Sequence, residues 1–213
     1  MAETDSPEAK LLNKLFHDLN DSGLSYAVMR NYELLPRSAD GSDLDILIDP
    51  KQEQLIMDCI STSIRSADGV SIGQVDTAGL SKIFAFGQPD HKDDQWWGLR
   101  LDICKGVVYR GSHNLIKKTV YTEHVKKHHG IKVLSSDLAA VIGVMKEVLH
   151  NGRIGDRYIN EASDAASERW HSISKVLSPI GEDGLNRLYK ICSRDSSEIS
   201  LTSEAKHMRR YIE

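Results

Sequence analysis

The segment Asp43-Leu44-Asp45-Ile46-Leu47-Ile48 alternates polar and apolar residues and closes on an apolar end. Period two is the signature of a β-strand. It also places the carboxylates of Asp43 and Asp45 on one face. A second segment, Trp97 to Tyr109, repeats the pattern, with Arg100, Asp102 and Cys104 on one face and Leu99, Leu101 and Ile103 on the other. Strands of this kind have an apolar side to bury, so the chain must build a sheet with something laid against it.

The surrounding sequence supplies the covering helices. Leu11, Leu12, Leu15 and Leu19 predict a helix over 7–20, with Ser6 as N-cap and Pro7 at its first position. A short strand over 24–29 follows, then a loop over 31–41. After Asp49-Pro50, a helix over 52–66 carries Leu55, Ile56, Cys59, Ile60 and Ile64 on one face. Further strands are expected over 70–75 and 81–86, with a polar turn at 88–95. From Leu134 the period changes to 3.6, and helices are expected from there to Asn151, over 158–176 and over 183–192. The expected fold class is therefore α/β (α+β). A mixed sheet with helices on one side spans 1–133, and an all-helical C-terminal domain spans 134–213.

Composition narrows the possibilities. Hydrophobic residues make up 40% and charged residues 27% of 213, which is ordinary globular usage and excludes a collagen-like or wholly disordered chain. Lys and Arg number 27 against 31 Asp and Glu, a net charge of −4, so a whole-chain basic footprint is absent and nucleic acid is not an expected partner. Cys59, Cys104 and Cys192 are widely spaced without a C-x-x-C, which fits reduced thiols in a cytoplasmic protein. The first ten residues lack a signal peptide's basic and apolar regions, and no apolar run approaches a membrane span. No membrane contact is expected.

The acids carry the chemistry. Two carboxylates about 6–7 Å apart along a strand repel each other, and a divalent cation removes that cost. Hard oxygen donors suit Mg²⁺ (or Mn²⁺), which usually also takes phosphate oxygens. Gly41-Ser42, just before the strand, lets a phosphate approach the backbone. If the strand bearing Asp102 pairs beside the first, three carboxylates converge, and two metals could support an in-line phosphoryl displacement.

A glycine-serine turn, D-x-D in a strand and a third carboxylate on a neighbouring strand resemble the DNA polymerase β-type nucleotidyltransferase superfamily, over roughly residues 24–108. The string Tyr26 to Pro36 followed by Gly41-Ser42-Asp43-Leu44-Asp45 is closer to a bacterial subgroup. In that subgroup such a domain and a helical segment often precede a thymidylate-kinase-like domain, and 146–158 is similar to the helical part. No G-x-x-x-x-G-K-[ST] occurs in this sequence. The resemblance implies a Mg²⁺-dependent transfer of a nucleoside monophosphate from an NTP to an unidentified hydroxyl acceptor. Asp43, Asp45 and Asp102 would be the catalytic and metal-binding carboxylates. Gly41, Ser42, Arg30, Lys82, Arg100 and Lys146 are the candidate nucleotide-binding residues, and the nucleotide is expected between the two halves. The chain departs from the superfamily at one point. The superfamily's glycine-serine usually ends the first strand, and here Met29-Arg30-Asn31 takes that place. Arg30 can substitute, since a guanidinium binds phosphate oxygens bidentately. The alternative is a catalytically degenerate nucleotide- or metal-binding module of a larger, kinase-linked protein, docking to a C-terminal kinase-like domain or a partner.

Other features are weaker. Residues 117–132 hold five lysines and one glutamate, a charge of +4 that more often marks solvated surface than a nucleic-acid contact. His128-His129 are adjacent and suit a single metal poorly. Lys146, His150, Arg153 and Arg157 lie along a helix end and the turn after it, either as an electropositive wall for a nucleotide or, more often for such a basic end, as a complement to the helix dipole. Of Trp96-Trp97, one is expected in the core and an exposed partner would mark a lid or an interface.

Overall fold

The structure is a computed structural model that describes residues 6–41, 43–77, 79–87, 96–109, 114–152, 156–193 and 208. Ser42, the polar turn at 88–95, Arg153 and the charged stretch 206–211, Met208 aside, lie outside the described residues. The chain is mixed α/β and divides into two compact units. The first is Met1–Lys105 with Lys126–Val133, and the second is Gly106–Val125 with Leu134–Glu213. Among the described residues no helix is long and apolar enough to cross a membrane.

In the first unit, helix α1 (Pro7–Asp21) starts as its sequence dictates. The Ser6 hydroxyl accepts the Ala9 N–H at 3.1 Å, and Pro7 sits where no N–H is needed. Leu11, Leu12, Leu15, Phe16 and Leu19 form its buried stripe. Strand β1 (Tyr26–Val28) follows, shorter than the sequence pattern predicts, and then β2 (Leu44–Ile48), buried throughout. Asp49 caps a short 3-10 turn that leads into α2 (Glu53–Ser66). Strands β3 (Gly69–Asp76), β4 (Leu80–Gly87) and β5 (Trp97–Cys104) form an antiparallel run.

The sheet has seven strands in the order β3-β4-β5-β2-β1-β7-β6, where β6 is Val125–His128 and β7 is Ile131–Leu134. Pairing is mixed: β2 runs parallel to β5 and β1 parallel to β7, while β1 and β2 are antiparallel. One face carries Leu44, Ile46, Ile48, Ile83, Ala85, Leu101 and Ile103, which share a core with α1 and α2. Each fully buried Leu or Ile contributes about 1.5–3 kcal/mol relative to exposure. The alternate residues of β4, β5 and β2 therefore point to the other face.

Two expectations need correction. The strand expected over 97–109 stops at Cys104. Lys105 donates its N–H to the Gly79 carbonyl at 2.9 Å, and Gly106 then turns the chain at φ +98°. The hairpin of β6 and β7 falls in the lysine-rich stretch, where the sequence suggests only a charge run. His129 (φ +47°) and Gly130 (φ +82°) are both left-handed, the requirement of a two-residue type I′ turn. Of the lysines, Lys126 and Lys127 are exposed on edge strand β6, whereas Lys132 bonds the Leu24 carbonyl at 2.8 Å.

Lys105 also anchors a polar clasp. Its ammonium contacts Glu53 Oε1 and Asp76 Oδ1, both at 2.6 Å, and the Ser81 hydroxyl donates to Asp76 Oδ1 at 2.6 Å. Lys105 and Ser81 hold Asp76 below its ordinary 3.8. Burial pushes the Lys105 ammonium down, but its bonds to Asp76 and Glu53 outweigh that and hold it above 10.5. A lowered carboxylate stabilises the fold above its unfolded pKa and loses that contribution as pH falls through the folded value. A raised ammonium contributes below its unfolded pKa and loses it as pH rises through the folded value. We expect Asp76→Asn to melt a few degrees below the wild type at neutral pH. The gap should close as pH falls below 3.8. A gap that persists in acid would show that the side chain, not its charge, matters.

In the second unit, helices α4 (Ser136–Asn151), α5 (Asp156–Val176) and α6 (Gly181–Cys192) follow a short α3 (Val120–Glu123). Leu138, Val141, Ile142, Met145, Val148 and Leu149 line the buried side of α4, and Gly152 ends it in the left-handed conformation. Gly143 lets α5 approach, since a Cβ there would lie 2.9 Å from the Tyr158 ring.

Candidate functional site

Strand pairing brings the acids together. In the parallel register of β2 and β5, Asp45 stands opposite Asp102. Neighbouring strands lie about 4.8 Å apart, so the two carboxylates sit side by side on the face away from α1 and α2. Both are buried, at 4% and 6% exposure. Asp43 lies two residues ahead of Asp45 on the same face and is about one-third exposed. On the far side of β5, Lys82 stands opposite Asp102 and Phe84 opposite Arg100. Lys82, Asp102 and Asp45 thus form one row across three strands.

Arg30 completes the row. Strand β1 lies antiparallel to β2, and the Met29 N–H donates to the Asp45 carbonyl at 2.9 Å. The chain leaves β1 at that point, so the Arg30 guanidinium falls beside Asp45 and its Nε donates to Asp45 Oδ2. Arg100 lies in the next row and bridges two acids. Its Nε donates to Asp102 Oδ1 at 3.1 Å, and its other arm contacts Asp43. Lys82 Nζ is 3.5 Å from Asp102 Oδ2. Three carboxylates are matched by three cations within one stretch of sheet. Two buried carboxylates on adjacent strands would otherwise pay both for desolvation and for mutual repulsion.

The remaining predicted residues are placed as follows. Gly41 is exposed, with φ +66° directly after Asp40 at +54°, in a turn that strains any side chain larger than hydrogen. Ser42 lies outside the described residues. Lys146 is half-buried on α4 of the second unit, and the first unit by itself brings together Arg30, Asp43, Asp45, Lys82, Arg100 and Asp102. The arginine clamps were only half-foreseeable. Arg100 shares strand parity with Asp102, but the partnership of Arg30 with Asp45 depends on strand order.

The donor set suits a hard cation, being all carboxylate oxygen. Yet among the described residues no group of three or more His, Cys, Asp or Glu is arranged to hold a metal. The carboxylate oxygens face Arg30, Arg100 and Lys82, so a divalent ion must share or displace these partners.

The same face continues into aromatic residues. Along β4 the exposed-side positions run Lys82, Phe84, Phe86, and the Phe86 ring stacks on Trp96 with centroids 5.4 Å apart and planes 20° apart. Trp97 points to the opposite face and packs against the core, while Trp96 stays 59% exposed.

No protein-family model matches this chain, and no curated protein shows significant similarity to it.

Proposed function

We propose that this chain is a nucleotidyltransferase of the polymerase β type, a nucleotidyltransferase-fold sheet followed by a helical domain. It would transfer a nucleoside monophosphate from an NTP to a hydroxyl acceptor. The observation that carries this reading is the pairing of Asp45 with Asp102, with Asp43 two residues away on the same face. Asp43, Asp45 and Asp102 would hold Mg²⁺ (or Mn²⁺), which when bound neutralises phosphate charge. Arg30, Lys82 and Arg100 would turn from the carboxylates to the phosphate oxygens, for which guanidinium and ammonium groups are suited. The acceptor oxygen forms a bond to the α-phosphorus as the bond from the α-phosphorus to the bridging oxygen breaks. Pyrophosphate leaves, and the hydroxyl proton passes to Asp102. The acceptor class stays open among sugar phosphates, aminoglycoside-like molecules, protein side chains and RNA.

A second reading rests on a specific observation. Arg30, Arg100 and Lys82 already neutralise every acid of the cluster. That arrangement favours a module that binds nucleotide without turning it over and signals to a kinase-like domain or partner.

Thermal melting with ATP, GTP, CTP and UTP, each with and without Mg²⁺, tests both. A ligand that binds only the folded state stabilises it by about 2.7 kcal/mol at a hundredfold excess over its Kd. We expect a Mg²⁺-dependent rise with at least one nucleotide, abolished in Asp45→Asn. Pyrophosphate release with an acceptor present then separates the transferase from the binding module. No shift with any nucleotide at millimolar concentration would overturn both.

A further inference from the structure

The geometry points to Phe86 and Trp96 as a stacking platform for the nucleobase of the bound nucleotide, an inference that rests on the nucleotide reading above. Trp96 is 59% exposed, and it stands on the same side of the sheet as the charged rows. Trp96 is not loose: its indole lies nearly parallel to the Phe86 ring, with centroids at 5.4 Å. One side of the indole is therefore fixed, and an aromatic surface remains available beside the charged rows. Gly98 stands opposite Phe86 in the β4–β5 register, and a Cβ built there meets nothing nearer than 3.9 Å. The cross-strand neighbour of Phe86 therefore carries no side chain of its own.

Position specifies the occupant. Lys82, Phe84 and Phe86 share one face of β4, so Phe86 lies about 13 Å along the strand from Lys82, at roughly 3.3 Å per residue. That is of the order of an extended nucleoside triphosphate. Phosphates held by Lys82 and Arg100 would place the base toward the aromatic end. Charge at one end and a flat π-surface at the other complement the two ends of a nucleotide. They do not complement a wholly apolar ligand or an inorganic phosphate. Stacking on an aromatic tolerates any base, so the platform would supply affinity more than base choice.

The test uses the intrinsic fluorescence of the whole chain, with adenosine and ATP–Mg²⁺ as probes and circular dichroism to confirm folding. We expect saturable quenching by both, with the Trp96→Leu variant losing the quenched signal. Phe86→Ala, which leaves the indole unsupported, should weaken ATP–Mg²⁺ binding about tenfold, within the range measured for loss of one base stack. Unchanged ATP–Mg²⁺ affinity in both variants, while the Asp45-dependent melting shift persists, would overturn the platform and leave the nucleotide site standing. Adenosine quenching lost in Trp96→Leu, without any Asp45-dependent shift, would keep the platform and remove the transferase reading. Absence of quenching by either probe would also overturn the platform.

Discussion

Arg30→Ala is expected to cost about 2–3 kcal/mol of stability at neutral pH, and millimolar Mg²⁺ to restore a large part of it. Breaking a buried ion pair by removing one partner typically costs about 3–5 kcal/mol, because the other charge stays buried without compensation. The Asp45 side chain is only 5% exposed, whereas that of Arg30 is 39% exposed, so solvent already screens part of the pair and the expected cost falls to the bottom of that range or just below it. Asp102 lies beside Asp45 and adds its own repulsion. Removing the guanidinium therefore leaves the arrangement of adjacent, undercompensated carboxylates that a divalent cation relieves. Urea unfolding with and without MgCl₂ measures the effect. Rescue by Mg²⁺, absent in the wild type or much smaller there, would identify the acids as metal ligands held in reserve by arginine. A destabilised variant indifferent to Mg²⁺ would mean that the cluster is a salt-bridge network, and would move the function to the binding module.

The second large effect lies on the other face of the sheet. Trp97 lies against two glycines that stand opposite each other on β3 and β4. A Cβ at Gly69 would come within 2.6 Å of its Cζ2 atom, and one at Gly87 within 2.8 Å of its Nε1. An indole packed on the core cannot swing aside as the tip of a lysine can, so Gly69→Ala or Gly87→Ala must displace the ring or the strand. Overpacking of this kind costs about 1–3 kcal/mol. The diagnostic measurement is the double variant. In a Trp97→Leu background the smaller side chain leaves room for the new methyl, and Gly87→Ala should then cost little. A full cost in that background would place the strain in the backbone.

Much of this was legible in the sequence. The periodicity of 43–48 and of 97–104 marks two strands, and strand parity alone puts Asp43 with Asp45 and Arg100 with Asp102. The leucines of α1 and the apolar face of α4 announce themselves by helical spacing. What the sequence leaves open is lateral order. Nothing local states that β5, reached after two intervening strands, inserts beside β2, or that the end of β1 sets Arg30 against Asp45. The hairpin over 125–134 escaped for a different reason. Its turn is His129-Gly130 instead of the usual Asn-Gly or Asp-Gly, and its lysines hide the short alternation Ile131, Val133. The aromatic face of β4 is visible as Lys-Ile-Phe-Ala-Phe, but only strand pairing shows that Phe84 and Phe86 share the acids' side.

The path of the chain bears on how the molecule can be cut. It leaves the first unit after Lys105, contributes 106–125 to the second, and returns to lay down β6 and β7 before departing again. β7 is the outer neighbour of β1, whose residues Tyr26, Ala27 and Val28 are wholly buried. A fragment ending at Lys105 would strip that neighbour away and turn a sealed central strand into a sticky apolar border. Such a fragment should aggregate, while a nick within 106–125 should leave two pieces that stay associated through the sheet. A single cut in the sequence therefore does not separate the two units.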